Sequence, residues 1–448
     1  MSPRVYVETQ GCQMNDHDAD RRRDLLVARG GYLPAARPEE ADLLLLNTCA
    51  VREKASEKVF SLLGLWRALK EARPGTLIAV GGCVASQEGE ALLERAPFVD
   101  VVFGPQTLGR LPELLAERRR TARPVVDVSF PSLEKFDAPA PPPAGPSAYV
   151  TVMEGCSRYC SFCIVPYTRG AAASRALVPI LAEVRALVAR GVREVTFLGQ
   201  NVDAWRDSGE DFDFADLLAA AAGIPGLGRV RFMTSHPADL TEGVIAAFAE
   251  VPTLAPHLHL PVQSGSDRVL ALMKRGYTAD EYRARAAALR RARPGLALGT
   301  DFIVGFPGET EEDFAETLAL ARTVDFDHAF SFVYSPRPGT PASARSPVPE
   351  EEARLRLRTL QDVLDASARR AREALVGREE TVLVERPARR GRGEYAGRTG
   401  THHWVNVAAP EGSLGSFARV RVTAALANTL RGRWLAPLPA AAAAPFGT

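Results

Sequence analysis

Short apolar runs recur along this chain, each followed by a polar or glycine-containing turn and then by apolar positions at helical spacing. In the first 130 residues the runs are Val5–Glu8, Leu43–Leu46 and Leu77–Val80, and helical stretches such as Ala55–Glu71 follow them. That alternation predicts a doubly wound parallel α/β sheet. The stretch PSLEKFDAPAPPPAGPSA, residues 131–148, holds too many prolines for a helix or an interior strand and reads as a semi-rigid linker. Beyond it the alternation resumes. Strands are expected at Tyr149–Met153, Glu194–Leu198, Val230–Met233, His257–Leu260, Leu298–Val304 and Ala329–Tyr334. Helices are expected at Ile180–Arg190, Phe214–Ala222, Val244–Glu250, Ala279–Arg291 and Glu311–Thr323. Six βα units imply a full or partial barrel with its chemistry at the strand C-termini. A charged helical stretch, Glu350–Leu375, comes next. From Gly377 the texture changes to short β-rich pieces, Thr381–Glu385, His403–Val407 and Ala418–Val422, which predict a small β-barrel.

Composition narrows the class. At 448 residues the chain exceeds one ordinary core, and 46% hydrophobic with 24% charged residues fits a globular protein rather than a fibrous or disordered one. No apolar run is long enough to span a membrane, and the start turns polar at Glu8 without a signal-peptide apolar block, so a cytoplasmic protein without membrane association is expected. The 55 Lys and Arg nearly cancel the 54 Asp and Glu, so a polyanion must be held by a local basic surface. The region 377–448 supplies one, with Arg378, Arg386, Arg389, Arg390, Arg392, Arg398, Arg419, Arg421, Arg431 and Arg433 set against five glutamates. Tyr395 and Trp404 are candidate stacking aromatics there. Taken singly, each is more commonly a solvated arginine or a core aromatic; as a group they point to a polyanion.

Six cysteines are too few for a disulfide scaffold in a chain of this length. Cys156, Cys160 and Cys163 lie within eight residues, directly after a predicted strand. Three thiolates leave one corner of a four-coordinate site open, where a substrate or cofactor can bind. A zinc knuckle with a remote fourth ligand, or unrelated buried thiols, would share this spacing. Cys12, Cys49 and Cys83 are far apart in sequence, yet each follows one of the first three predicted strands. Adjacent parallel strands bring such positions to one crevice. Gly11, Gly81 and Gly82 permit close backbone approach, though small buried hydrophobes would also be cysteines. Polar groups on the loops of the second half include Gln200, Asn201, Ser235, His236, Gln263, Ser264 and Ser266.

The Cys156-Ser-Arg-Tyr-Cys160-Ser-Phe-Cys163 motif resembles the radical S-adenosylmethionine signature. With the second cysteine trio and the basic tail, the whole chain resembles the methylthiotransferase family. The segments Gln10–Asn15, Asn47–Ala55, Gly82–Glu90, Val165–Gly170, Leu258–Ser266 and Phe302–Thr310 resemble its branch acting on N6-dimethylallyladenosine in tRNA. The resemblance implies an N-terminal cluster domain over residues 1–130, the linker 131–148 and a radical-SAM partial (β/α)6 barrel over 149–376. It further implies a TRAM-type RNA-binding barrel over 377–436 and a disordered tail over 437–448. It also implies two [4Fe-4S] clusters, on Cys12, Cys49 and Cys83 and on Cys156, Cys160 and Cys163. Phe162, Gln200, Asn201, Ser235, Gln263 and Asp301 become candidate contacts to S-adenosyl-L-methionine. One cofactor molecule would give the methyl group and a second the 5′-deoxyadenosyl radical.

The implied reaction is methylthiolation of C2 of the modified adenine at position 37 of the anticodon loop, by a single chain served by an electron donor and sulfur or iron–sulfur carrier proteins. Rival substrates are threonylcarbamoyladenosine in tRNA or an aspartate of a ribosomal protein. A rival of another class is an iron–sulfur RNA-binding or electron-transfer protein. One departure stands in the Thr168-Arg-Gly stretch, which continues Ala171-Ala172-Ala173 where the family commonly carries an Arg-Glu pair. Thr310 is expected to cap a helix, with Glu309 either sharing that role or touching cofactor. His236, His257 and His259 are expected to be hydrogen-bonded structural residues before ligands.

Overall fold

The computed structural model describes residues 2–11, 13–49, 55–130, 136, 145–389, 391 and 393–439. They fall into two compact units. The first comprises Met1–Pro141 with Glu154–Ser157 and Cys163–Ala172, and the second Pro142–Met153, Arg158–Phe162 and Ala173–Thr448. The cysteine loop is therefore divided, with Cys156 and Cys163 in the first unit and Cys160 in the second.

The first unit is a six-stranded parallel sheet of β1 (Arg4–Thr9), β2 (Leu33–Pro34), β3 (Leu43–Thr48), β4 (Leu77–Gly82), β5 (Val101–Phe103) and β6 (Val125–Asp127), in the order β2-β1-β3-β4-β5-β6. Every residue of β3 is buried, as a strand covered on both faces must be. Leu44, Leu46, Ile78, Val80 and Val102 pack on one side with Val59, Leu63 and Trp66 of the helix Ala55–Ala72. Leu43, Leu45, Ala79, Val101 and Phe103 pack on the other, against Leu26 of the helix Gln13–Gly30 and Leu111, Leu114 and Leu115 of Leu111–Thr121. The sheet is thus doubly wound, and its strand alternation divides the apolar residues between two cores.

The second unit holds two three-stranded parallel sheets. One is β7 (Ser147–Thr151), β8 (Glu194–Leu198) and β9 (Arg229–Phe232), ordered β9-β8-β7. The other is β10 (His257–His259), β11 (Ala297–Val304) and β12 (His328–Val333), in sequence order. A single apolar core, including Val150, Phe197, Phe232, Leu258 and Phe302, runs through both. This is the partial (β/α)6 architecture. Its helices Phe214–Ala222, Glu242–Glu250, Ala279–Ala292 and Glu311–Val324 start on the capping side chains Asp213, Thr241, Thr278 and Thr310. The expected capping role of Thr310 is met, and Asp313 closes the reciprocal bond.

The closed C-terminal barrel runs β13 (Glu379–Pro387), β14 (Glu394–Thr399), β15 (Trp404–Ala408), β17 (Leu430–Leu438) and β16 (Phe417–Ala425) around its circumference. Two differences from the sequence reading concern its flanks. β7 begins at Ser147, within the expected linker, whose residues 131–135 and 137–144 lie outside the described set. β17 runs through Pro437 to Leu438, into the expected tail, because it pairs with β16 as far as Phe417↔Leu438. Residues 440–448 lie outside the described set. Among the described residues no helix is long and apolar enough to cross a membrane.

Candidate metal centres

In the first unit, strand register fixes where the cysteines stand. Thr9 pairs with Asn47 and Asn47 with Gly81, while Thr48 pairs with Gly82. Cys49 and Cys83 follow that last pair directly, so each leaves the carboxyl end of neighbouring strands, and both are buried. Cys12 lies outside the described residues. Thr48 ties the two loops together, donating from its hydroxyl to the Gly81 carbonyl at 2.8 Å and accepting from the Val84 and Ala85 amides at 3.2 and 3.3 Å. A side chain at Gly11 would collide with Cys49, and one at Gly82 with the Thr48 carbonyl, so the backbone closes tightly around this crevice.

A buried polar network surrounds it. Arg169 donates to Asp18 at 2.6 Å and to Asn15 at 3.3 Å, with Glu154 3.8 Å away. Asn15 in turn donates to the carbonyls of Thr48 at 2.7 Å and Gln10 at 3.1 Å. Arg22 donates to the Asn47 side chain, and Asn47 donates to the Asn15 carbonyl at 2.5 Å. Burial opposes the charge of Asp18, but Arg169 and Arg22 hold its carboxyl below the ordinary range. Burial likewise opposes Arg169, which Asp18, Cys83 and Glu154 nonetheless keep raised. Asn15 and Arg169 lay within motifs noted in the sequence. Asp18 and Arg22 carried no signal, since charged residues in a polar helix read as a solvated face.

Gly155 and Gly170 frame the first part of the second cysteine loop. The Cys156 amide donates to the Gly170 carbonyl at 3.1 Å, and the Ala172 amide to the Ser157 hydroxyl at 3.1 Å. A Cβ at Gly155, where φ is +77°, would strike the carbonyls of Gly170 and Ala171. The Ala171–Ala172 segment therefore meets the loop through its backbone, a contact that does not depend on the Arg-Glu pair absent here.

In the second unit the loops at the strand C-termini carry the expected polar residues. Cys160 is buried, 3.4 Å from an Arg275 amino group and 4.0 Å from His236 Nε2. Burial, then Arg275 and Arg158, push His236 down to about 2, so it is a neutral ring that accepts from the Ala238 amide at 3.2 Å. Asn201 donates to Asp239 at 2.7 Å, and Arg158 grips the same carboxylate. Ser235 donates to Asp203 at 3.0 Å, and burial pushes that carboxyl up to about 8, which makes it an acid at neutral pH. Phe162 packs edge-on against Phe306 at 6.5 Å, Asp301 meets His259 at 3.2 Å, and Gln200 is half-buried on its loop.

Tyr159, Thr234 and Gln263 all have positive φ, at 46°, 72° and 74°, and all lie in these loops. The strain is held in place for Gln263 by two bonds to the neighbouring strand, to the Asp301 carbonyl at 2.8 Å and from the Ile303 amide at 2.9 Å. Arg158, Asp203, Asp239 and Arg275 were missed from sequence, although Arg158 stands inside the cysteine motif. Glu309 neither caps the helix nor lines the loops as a free acid: it pairs with buried Arg356 at 2.9 Å.

One basic residue is corrected. Arg398 is no part of an exposed patch but is buried, reaching Glu194 at 3.1 Å and Glu385 at 2.7 Å. Arg378, Arg386, Arg389, Arg419, Arg421, Arg431 and Arg433 are exposed, and Arg390 and Arg392 lie outside the described residues. Trp404 is half-buried beneath Arg386 and Arg398, at 4.3 and 5.4 Å, and Tyr395 is half-buried on β14.

Three family models match the chain: an uncharacterized family, UPF0004, over residues 4–104, the Radical SAM superfamily over 150–321 and the TRAM domain over 373–435. A tRNA-2-methylthio-N(6)-dimethylallyladenosine synthase of Halorhodospira halophila is 57% identical over 97% of this chain and 93% of its own. One from Aromatoleum aromaticum is 55% identical over 96% and 98%. The chain belongs to the tRNA-2-methylthio-N(6)-dimethylallyladenosine synthase family. A solved radical S-adenosylmethionine methyltransferase, TsrM from Kitasatospora setae, covers 77% of each chain at a TM-score of 0.57 and 18% identity, a likeness of fold alone.

Membership in this radical SAM family implies a [4Fe-4S] cluster and S-adenosylmethionine. Among the described residues no three His, Cys, Asp or Glu side chains already stand together as a metal site. The residues nevertheless fit such groups. The N-terminal crevice has soft thiol donors, a tight glycine cradle and, among the described residues, buried polar atoms without a hydrogen-bond partner at Gln10, Arg22 and Gln106. In the second unit, buried Asn201 Oδ1 and Asp203 Oδ2 likewise have no hydrogen-bond partner among the described residues.

Proposed function

We infer that this chain attaches a methylthio group to C2 of N6-dimethylallyladenosine at position 37 of the tRNA anticodon loop. It would do so with two [4Fe-4S] clusters, one on Cys12, Cys49 and Cys83 and one on Cys156, Cys160 and Cys163. The observation that carries the reading is the likeness of nearly the whole chain, at more than half identity, to tRNA-2-methylthio-N(6)-dimethylallyladenosine synthases. When bound, the clusters and two molecules of S-adenosylmethionine supply the sulfur, the methyl group and the 5′-deoxyadenosyl radical that takes the C2 hydrogen.

The chain's own residues bind, orient and exclude. Thr48, Asn15 and Arg169 brace the loops that carry Cys49 and Cys83. Arg275 sets a positive charge 3.4 Å from the Cys160 sulfur. Phe162 would wall the cofactor side of its loop with Phe306 behind it. Gln200, Asn201, Ser235, Gln263 and Asp301 are the proposed polar contacts to S-adenosylmethionine, four of them already set by hydrogen bonds or, for Asp301, a 3.2 Å contact with His259.

The barrel is the proposed tRNA grip. Exposed Arg421 and Arg433 stand directly across from each other on β16 and β17, and although Arg421 also pairs with Glu379 at 2.6 Å, the two offer positive charge to a phosphate backbone. An external electron donor and a sulfur or iron–sulfur carrier complete the reaction, and a monomer working in the cytoplasm is the proposed form.

The test is mass spectrometry of nucleosides from tRNA bearing N6-dimethylallyladenosine, after incubation with anaerobically reconstituted protein, S-adenosylmethionine and dithionite. Conversion of that nucleoside to its methylthio form is expected, with 5′-deoxyadenosine formed alongside. Cys160→Ala should abolish both products. A methylthio group appearing only on threonylcarbamoyladenosine or on a ribosomal protein would contradict the assignment.

A further inference from the structure

Arg22 is fully buried in the first unit, yet only one of its donor groups has an acceptor. One amino group bonds Asn47, two residues before Cys49, while its Nε and its other amino group have no hydrogen-bond partner among the described residues. The guanidinium stacks over Phe103 at 4.9 Å, on the strand that pairs with Gly81 just ahead of Cys83. A buried charge with idle donors is costly unless something negative arrives to meet it. Nearby Asp18 acts on Arg22 through its charge but hydrogen-bonds Arg169, so among the described residues no carboxylate accepts a hydrogen bond from Arg22. Burial pulls the Arg22 guanidinium down to about 10, against the favourable charges of Asp18, Cys83 and Glu154.

The group that the proposed function assigns to Cys12, Cys49 and Cys83 has the chemistry Arg22 lacks: sulfur acceptors and a net negative charge that grows on reduction. We propose that Arg22 is a positioning residue for the N-terminal iron–sulfur cluster, donating its idle N–H groups to cluster or cysteine sulfur and so retaining the cluster and easing its reduction. This rests on the proposed assignment of the cluster to those three cysteines. Hydrogen bonds and positive charge around such sulfurs are general determinants of potential and affinity.

The test uses the full chain with Cys156, Cys160 and Cys163 changed to Ala, so that only the N-terminal cluster remains, and compares Arg22 with Arg22→Met and Arg22→Lys. Three quantities are measured: the midpoint potential by spectroscopically monitored titration, the rate of iron loss to a chelator, and the rise in thermal midpoint on reconstitution. In Arg22→Met the potential should become more negative, iron should leave about 10-fold faster or more, and loading should stabilise the protein less than in the parent. Arg22→Lys should fall between the two. A merely structural role would lower the thermal midpoint of empty and loaded protein alike and leave the potential unmoved. A cluster with unchanged potential and release in both variants overturns the inference alone. Failure of any cluster to form with Arg22 intact overturns the assignment of the site and the inference with it.

Discussion

Glu194 is one carboxylate held by three arginines. Arg229 and Arg231 reach it at 3.1 and 3.0 Å from the neighbouring strand β9, and Arg398 reaches it at 3.1 Å from the barrel, all of them buried. The same arginines donate to barrel carbonyls, Arg229 to Thr381 at 3.0 Å and Arg231 to Thr399 at 2.7 Å and Gly400 at 2.8 Å. Burial opposes the charge of Glu194, but Arg231, Arg398 and Arg229 hold its pKa far below the ordinary range. Removing the carboxylate would take the shared anion from buried Arg229 and Arg231, while Arg398 would keep Glu385. Glu194→Ala is therefore expected to cost about 3–5 kcal/mol in denaturant unfolding and to expose the junction between β13–β14 and the sheet to protease. Stability within about 0.5 kcal/mol of the parent would contradict that role. The sequence carried no sign of it: Glu194 opens one expected strand, Arg229 lies just before another, and nothing in their spacing joins them. Cysteines were legible because their spacing is itself chemistry, whereas a buried ion cluster exists only once distant strands meet.

At the scale of elements, most of the βα alternation was legible, because a strand covered on both faces must be almost wholly apolar, as Leu43–Leu46 is. The barrel was harder. Glu394–Thr399 reads EYAGRT and Leu430–Leu438 carries Gly432 and Pro437, so neither resembles a strand in isolation. Gly432 is required because a Cβ there would meet Val420 and Val405, and Pro437 is tolerated because pairing with β15 ends at Arg433.

The seam between β10–β12 and the barrel turn 400–403 also gathers five of the chain's seven histidines, His257, His259, His328, His402 and His403. His257 stacks on His402 at 4.7 Å, and His328 lies 4.5 Å from His403. Burial depresses His257, His328, His402 and His403, the last to about 3, and Arg231, Arg398 and Arg372 add to the effect while Glu194 opposes it at His402. These rings are neutral when folded, and the unfolded chain takes up protons near pH 6.5. Stability is thus full above that pH and falls as pH drops from 6.5 toward 3, at about 1.4 kcal/mol per unit for each such ring. Calorimetry of the metal-free chain between pH 7.5 and 5 should show the unfolding midpoint falling, with a shallower fall in His402→Asn/His403→Asn. A slope that the double variant leaves unchanged would contradict the account.

Across the whole molecule, the proposed division of labour rests on two trios of cysteines. One trio follows the ends of adjacent strands in a doubly wound sheet, as strand register makes plain for Cys49 and Cys83. The other lies in a loop just after β7, the first strand of the partial barrel. The cysteines stood out in the sequence by their spacing, whereas Arg22 beside Cys83 and Arg275 beside Cys160 carried no signal, since arginine in isolation predicts a surface; Arg169, also acting on Cys83, stood only as one residue of the Val165–Gly170 motif. Counting iron and acid-labile sulfide in the anaerobically reconstituted chain tests the central claim most directly. The account predicts about eight irons per chain, falling to about four when either trio is changed to alanine. A parent chain holding only about four irons, or one trio whose loss leaves the count unchanged, would contradict it.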